Sequence, residues 1–414
     1  MKKMFLFIRS ILSYLILFFN ILEILIKHKK IINFIEKKNN KNVCVCNEGG
    51  FGTICQLSDR LIKSDKNYSL ILIFDVDRYH NEYFKNFFPK LDIFYLELLS
   101  YSYGLSGYFN EKNLRQKKIL YLLIKKIIHF YTKKFNVCNG SIKHEISLEI
   151  FPKQSLLQNN KIKKILTWEV EKYECPIEIV NPFIEEKSIE PDDYILKLIN
   201  SKIDKKILNY EKKICINIRS KYPLTRNTGD LRFYQKSISY LEKLGFLFFF
   251  TGEISKKELF KKINFVNKDK VYFYFDFNFK KDLFDFYIPI LCKYALFSQA
   301  GGLTIRTYAK KKLTLIVNAY PLSYTHFNSV ILHKNLLDEN GKRTDLSNNN
   351  IENSSDKNIH QNTEEQILES VKTYLRLYEN SKEITLLKNN KIQIFKKYNP
   401  MVDHKDYNCT ILDL

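Results

Sequence analysis

Between residues 213 and 347 lie four features whose residue types suit the binding of a phosphate. Arg219 closes the apolar run Lys-Ile-Cys-Ile-Asn-Ile-Arg at 213–219, and Gly252 follows Thr251 just after the apolar run 246–250. The Gly301-Gly302 pair precedes a helical period and draws in Leu303, while Asn318 ends the run 313–317. A guanidinium offers a fixed cation to a phosphate oxygen. Glycine at a helix start lets a ligand approach backbone N–H groups that have no partner within the helix. Arg226, in the basic loop 221–226, adds a second cation. Each feature also has a plainer reading: Arg219 could pair with a carboxylate at its strand end, the glycines could form a tight turn alone, and Asn318 with Pro321 could be a turn.

The elements that must position these residues alternate. Strands are expected at 213–219, 246–250, 271–274, 294–297 and 313–317, with helices at 231–244, 282–290 and 303–310, the first closed by Gly245. Repeated β-α-β units imply a parallel, doubly wound sheet whose ligands sit at the carboxyl ends of its strands. All four features fall at such ends. The first half repeats the pattern more faintly. A short strand at 43–46 leads into Asn47-Glu48-Gly49-Gly50-Phe51-Gly52-Thr53 and a helix at 53–63, a second candidate anion or sugar pocket. Strands at 70–74 and 93–96 and a Lys-rich helix at 112–134 follow, with Asp75, Asp77 and His80 just past the first of these strands.

A chain of 414 residues suits two domains of roughly 150 to 200 residues each. Pro176, Pro182 and Pro191 mark the boundary. The organisation expected is a hydrophobic helix and basic linker at 1–41, an α/β domain at 42–190 and a second at 191–346. A flexible, Asn- and Ser-rich insertion at 347–363 and C-terminal helices within 364–414, at 364–379 and 382–397, complete it. The fold class read from the alternation is α/β, with two domains of parallel, doubly wound sheet.

The net charge of +22, from 67 Lys and Arg against 45 Asp and Glu, first suggests nucleic acid. The lysines are scattered and the aromatic residues fall inside expected strands, so no nucleic-acid partner is expected; the field favours nucleotide phosphates and acidic lipid headgroups. The eight cysteines form no C-x-x-C pair, which argues against zinc and for buried thiols in a reducing compartment. Asp75-Val76-Asp77 has the spacing of a divalent-cation site, but two turn acids in solvent are the commoner origin of such a pair, and no metal is expected. The apolar stretch 4–26, followed by Lys27, His28, Lys29 and Lys30, reads as a membrane-surface anchor or a single span through residues 1–30. The alternative is a helix packed on the first domain's core. The body is then expected in the cytoplasm, at the inner face of the plasma membrane.

With these residues in view, residues 213–347 resemble a family of bacterial glycosyltransferases related to two-Rossmann-domain (GT-B-like) enzymes. The resemblance is carried by Ile218-Arg219, Arg226-Asn227, Tyr234, Leu244-Gly245, Thr251-Gly252, Gly301-Gly302-Leu303, Val317-Asn318, Pro321-Leu322 and Gly341-Lys342-Arg343-Thr344. It covers about a third of the chain, and Gly49-Gly50-Phe51-Gly52 extends it weakly into the first half. The chain departs from the family at Asn217, where members often have His, at Ser220, where an acid is common, at Ala300, where Ser precedes the glycines, and at Thr53, where many such turns carry His.

The resemblance implies two Rossmann-like domains facing across a cleft. It also implies metal-independent transfer of a sugar from a nucleotide-sugar co-substrate, with no other cofactor, to a glycan or lipid-linked acceptor in bacterial surface polysaccharide assembly. It implies a donor site at Arg219, Arg226, Gly252, Gly301, Gly302, Leu303 and Asn318. An acceptor site at Gly49, Gly50, Gly52, Thr53, Asp77 and His80 would accompany it, with Glu48 as the base. The alternative is a catalytically inactive nucleotide- or glycan-binding relative, which the departures would suit.

Overall fold

The computed structural model describes residues 2–38, 42–46, 51–62, 67–75, 83–98, 111–132, 134–139, 189–219, 228–298, 301–310, 313–319, 329–337, 340–341, 359–379 and 409–411. They fall into two compact units, one taking in the described residues up to Tyr194 and the other those from Ile195 onward.

The first unit holds α1 (Lys2–Lys38), β1 (Asn42–Cys46), α2 (Phe51–Ile62), β2 (Tyr68–Asp75), β3 (Asp92–Leu98), α3 (Glu111–Tyr131) and β4 (Asn136–Asn139). Its four strands are parallel and lie in the order β3-β2-β1-β4. Val43, Val45, Ile71, Ile73 and Leu96 pack with Ile24, Ile31 and Ile35 of α1 and Leu120, Ile124 and Ile128 of α3. Cys44, Cys46, Leu70 and Leu72 alternate with these strand residues and face the other way. The central strands β1 and β2, buried on both faces, read as continuous apolar runs, whereas β3 keeps Glu97 exposed. Ile24, Ile31 and Ile35 are fully buried, so α1 is part of this core and not a separable anchor. Among the described residues no helix is long and apolar enough to cross a membrane.

The second unit opens within α4 (Asp193–Asn200), from Ile195, and continues with α5 (Lys205–Asn209), β5 (Lys213–Ile218), α6 (Gln235–Lys243), β6 (Leu247–Gly252), α7 (Lys256–Lys262) and β7 (Val271–Tyr272). Then come α8 (Lys281–Leu291), β8 (Tyr294–Phe297), α9 (Gly301–Lys310), β9 (Thr314–Ala319), β10 (Ser329–His333), β11 (Asn335–Leu336), β12 (Ile359–His360), α10 (Glu364–Glu379) and β13 (Cys409–Ile411). Seven parallel strands form the sheet β13-β10-β9-β8-β5-β6-β7, and β11 pairs with β12 antiparallel. Counted from the start of the unit and read from β7, the strands run third, second, first, fourth, fifth and sixth, with the seventh, β13, added beyond β10. That is the Rossmann order, whose switch point lies between the first and fourth strands, here β5 and β8. The first unit's order, third, second, first, fourth, has the same switch between β1 and β4.

Local chemistry sets the element ends. Gly245, at φ +83, closes α6: its N–H donates to the carbonyl of Glu242 at 2.9 Å and that of Phe246 to Leu241 at 3.1 Å, a Schellman pair. Ser255 and Glu258 form a capping box that starts α7. The strand expected at 271–274 stops at Tyr272, because the Asp276 carboxylate accepts the Phe273 N–H at 2.8 Å and starts a 3-10 turn at Tyr274–Phe277, which Asn278 ends at φ 52. The insertion expected to be flexible to residue 363 is ordered at its end: β12 pairs with β11 and Asn362 is completely buried. The second C-terminal helix, at 382–397, lies outside the described residues.

One buried cation ties the unit together. Arg306 of α9 has no exposed surface, and among the described residues its guanidinium donates to neutral oxygens alone. Nε reaches Thr314 Oγ1 at 2.8 Å, Nη1 the carbonyls of Pro289 and Cys292 at 3.1 and 2.8 Å, and Nη2 those of Lys293 and Leu313 at 2.6 and 3.1 Å. Three of these carbonyls belong to the end of α8 and the residues just past it, where no helical N–H remains to receive them. Arg306→Met should lower stability by about 3 kcal/mol or more, because four buried carbonyls lose a charged donor and only that of Leu313 keeps another, the Tyr374 hydroxyl at 3.0 Å, among the described residues. Urea unfolding followed by far-UV circular dichroism checks this, with Arg306→Lys recovering only part of the loss.

Candidate functional site

The carboxyl ends of β5, β6, β8 and β9 share one edge of the second unit's sheet, and there the sequence-expected residues meet. Arg219 follows β5 directly and is half-buried. Its backbone is pinned on both sides by Thr228, whose Oγ1 accepts the Arg219 N–H at 2.8 Å and whose own N–H donates to the Arg219 carbonyl at 3.0 Å. Thr228 Oγ1 also lies 3.1 Å from Ser298 Oγ, just past β8. The connection after β5 is thus tied to the strand across the switch point.

Gly252 ends β6 at φ +90, a conformation glycine adopts without strain. A Cβ there would lie 2.2 Å from the Ile218 carbonyl oxygen and 3.2 Å from Asn217 Nδ2. Its N–H donates to Asp285 Oδ1 of α8 at 3.2 Å, and Lys281 pairs with the same carboxylate. Burial pushes the Asp285 carboxyl above the usual carboxylate range, against the pull of Lys281 and of the Gly252 N–H.

Gly301 and Gly302 form the first turn of α9 and not a loop ahead of it. A Cβ at Gly302 would meet Phe297 Cε1 at 2.8 Å and lie 3.8 Å from Asn217 Nδ2. The two glycines of the edge therefore flank a single amide. Asn217 donates from that Nδ2 to Thr251 Oγ1 at 2.9 Å, and Thr251 lies 3.7 Å from Cys215 Sγ, a thiol that burial raises well above its ordinary range. Leu303 is buried and packs into the unit behind the glycines.

Asn318 is held differently from the rest. It sits at φ 54, and its buried amide is engaged internally: Nδ2 donates to the Thr228 carbonyl at 3.0 Å and to the Tyr234 hydroxyl at 3.3 Å, while Oδ1 accepts the Asn362 N–H at 2.6 Å. Asn362 returns the bond, its Oδ1 accepting the Asn318 N–H at 2.8 Å, and its Nδ2 donates to the His333 carbonyl at 2.6 Å. This reciprocal pair fixes the end of β9 against the end of the insertion. Gln361 adds to it by accepting the Asp230 N–H at 2.7 Å.

Among the sequence-expected donor residues, Arg219, Gly252, Gly301, Gly302, Leu303 and Asn318 thus lie along one sheet edge, and Arg226 falls outside the described residues. On the acceptor side, Gly52 and Thr53 lie in the first turn of α2, at the carboxyl side of β1. Glu48, Gly49, Gly50, Asp77 and His80 lie outside the described residues. Among the described residues no group of three or more His, Cys, Asp or Glu could hold a metal ion.

Sequence reasoning missed Thr228, Asn362 and the central place of Asn217. Thr228 precedes Gly229-Asp230, and Asp230 caps the turn at Leu231–Tyr234 by accepting the Arg232 N–H at 3.1 Å, so a helix-start signal was present. Asn362 had no such signal. It stands among many other asparagines, and its partner is 44 positions away.

No family model matches the chain, and no curated protein sequence matches it. Several solved structures are similar to it. A glycosyl transferase family 9 protein from Veillonella parvula superposes at TM-score 0.44 and 10% identity over 81% of this chain and 97% of that one. The E. coli ADP-heptose lps heptosyltransferase II gives 0.44 and 7% over 82% and 99%. The E. coli heptosyltransferase WaaC with ADP-2-deoxy-2-fluoro heptose gives 0.43 and 6% over 81% and 99%. These are glycosyltransferases, the kind of protein that the sequence resembles.

Gly252→Ala should cost more than about 2 kcal/mol, since it adds both a backbone strain and a clash with a carbonyl oxygen. Gly341 provides the control. It has φ +75 but nothing within 4 Å of an added Cβ, so Gly341→Ala should cost only the strain, about 1 kcal/mol. Comparing the two urea midpoints checks the difference.

Proposed function

We propose that the second unit binds the diphosphate of a nucleotide sugar at the carboxyl edge of β5, β6, β8 and β9, and that the chain transfers the sugar to a hydroxyl of a glycan or lipid-linked acceptor. The observation that carries this reading is the placement of a glycine-started helix and an arginine on opposite sides of a Rossmann switch point, where open α/β sheets receive nucleotides. In this reading Arg219 and Arg226 supply fixed positive charge to the phosphates, and the N–H groups of Gly301 and Gly302 donate to them. Gly252 keeps the neighbouring strand end clear of side chains. Asn318 and Leu303 position this edge from behind.

The chemistry asked of such a site is stabilisation of a leaving group. The acceptor oxygen forms a bond to the anomeric carbon while the bond from that carbon to the diphosphate oxygen breaks, and the electron pair moves onto the diphosphate. Fixed cations and helix N–H groups stabilise that charge without reorganising. The acceptor's proton goes to a base, which we assign to Glu48 in the turn before α2, with Gly49, Gly50, Gly52, Thr53, Asp77 and His80 forming the acceptor side. We place the product in a bacterial surface polysaccharide and the reaction outside the need for a metal.

A second reading, binding without transfer, is favoured by one observation. Asn217, which stands where the resembled family often has His, spends its amide on Thr251. Incubating the protein with ADP-, UDP-, GDP- and CMP-linked sugars separates the two: donor-dependent product or slow donor hydrolysis supports transfer, and binding without turnover supports the second reading. Arg219→Ala should weaken nucleoside diphosphate binding about tenfold to a hundredfold, the worth of a charge-assisted hydrogen bond, with an unchanged unfolding midpoint. Calorimetric titration measures it, and equal affinity in the variant would remove Arg219 from the site.

A further inference from the structure

We propose that the outward face of α1 and α3 docks on an anionic lipid bilayer, lying on its surface without crossing it. Both helices cover the same face of the first unit's sheet and touch each other, with the rings of His28 and Tyr131 stacked at 5.4 Å. Their inward residues form the core, so the sides turned away from the sheet point in a common direction. Those sides are apolar. On α1, Phe18, Leu22 and Ile26 follow one another at four-residue intervals and are 55%, 38% and 73% exposed. On α3, Ile119, Leu122 and Phe130 are 43%, 40% and 78% exposed. Large apolar side chains gathered on one surface mark an interaction site.

Charge selects the occupant. Beyond Ile26 the exposed side of α1 turns basic, with Lys29, Lys30 and Lys37 against the one acid Glu36, and Lys126 lies exposed between Leu122 and Phe130 on α3. Glu23, the acid within the apolar stretch of α1, is paired with Lys27 at 2.7 Å. Apolar side chains bordered by lysines match the acyl boundary and headgroups of an anionic bilayer, where long cationic side chains reach outward while the apolar ones are immersed. A second copy of this chain would bring the same lysines together, each copy with a net charge of +22. The absence of a membrane-length apolar helix among the described residues fits a surface position. The inference stands whether or not the chain transfers sugars.

Co-sedimentation of the full chain with phosphatidylcholine vesicles, with and without a phosphatidylglycerol fraction, tests it. The wild type should partition onto the anionic vesicles. The combined substitutions Phe18→Ser, Leu22→Ser and Ile26→Ser should reduce that partitioning about tenfold or more, and Phe130→Ser alone should reduce it as well. Lys29→Gln with Lys30→Gln should reduce binding about fivefold per lysine on anionic vesicles and leave neutral ones unaffected. All of these side chains are exposed, and melting followed by circular dichroism verifies that each variant is folded. Unchanged partitioning of both the triple variant and Phe130→Ser would overturn the proposal. So would a wild-type dimer in vesicle-free solution that the triple substitution converts to monomer, since the face would then belong to a second copy.

Discussion

The second unit depends on a buried guanidinium that, among the described residues, has no carboxylate beside it. Arg306 is stabilised by five hydrogen bonds to neutral oxygens, four of them backbone carbonyls that a helix end and two strand starts leave without partners. A buried charge of this kind is costly to desolvate, so it persists only where the surrounding backbone solvates it in place of water. Here the solvating groups come from α8, from the residue before β8 and from the start of β9. The cation therefore fixes the seating of α9 relative to three other elements. Because α9 begins at Gly301, the position of its first turn at the strand edge follows from a contact more than one helical turn further on.

A second layer of polar contacts shapes the edge itself. Thr228 is bonded to Arg219, Ser298, Tyr234 and Asn318 at once, and so connects the ends of β5, β8 and β9. Asn217 lies between the two glycines and spends its amide on Thr251 at the end of β6. These are short side chains with both donors and acceptors, and burial makes each bond more exacting, since an unmatched group there costs its full desolvation. The apolar core supplies most of the driving force for folding, but it is non-directional. The polar contacts determine which backbone groups face outward at the edge.

Much of this was legible in the sequence, for a physical reason. Parallel strands buried on both faces are short apolar runs, so Tyr-Ala-Leu-Phe at 294–297 could be placed to the residue, and Gly245 announced the end of α6 because a left-handed closing residue favours glycine. The glycines and Arg219 were visible because their types are unusual at strand ends. What escaped were residues whose role depends on a distant partner. Arg306 looks like one more cation on a helix until Pro289, Cys292 and Lys293 are folded beside it. Asn362 sits at the end of a polar stretch whose composition argues for disorder, yet it is completely buried against Asn318. The reading of α1 as anchor or core offered a choice that the helix does not make, since one side is core and the other is exposed.

The short β11–β12 pair has an implication for how such a chain can vary. It clamps the two ends of the stretch between Leu336 and Ile359, and the Asn318–Asn362 pair lies immediately behind the clamp. Once both ends are held, the entropy of closing the intervening stretch grows only with the logarithm of its length, about 0.6 kcal/mol for each doubling. Descendants could thus lengthen, trim or decorate that stretch at little thermodynamic expense while the neighbouring strand ends kept their arrangement. The clamp makes it a tolerant place for evolutionary tinkering.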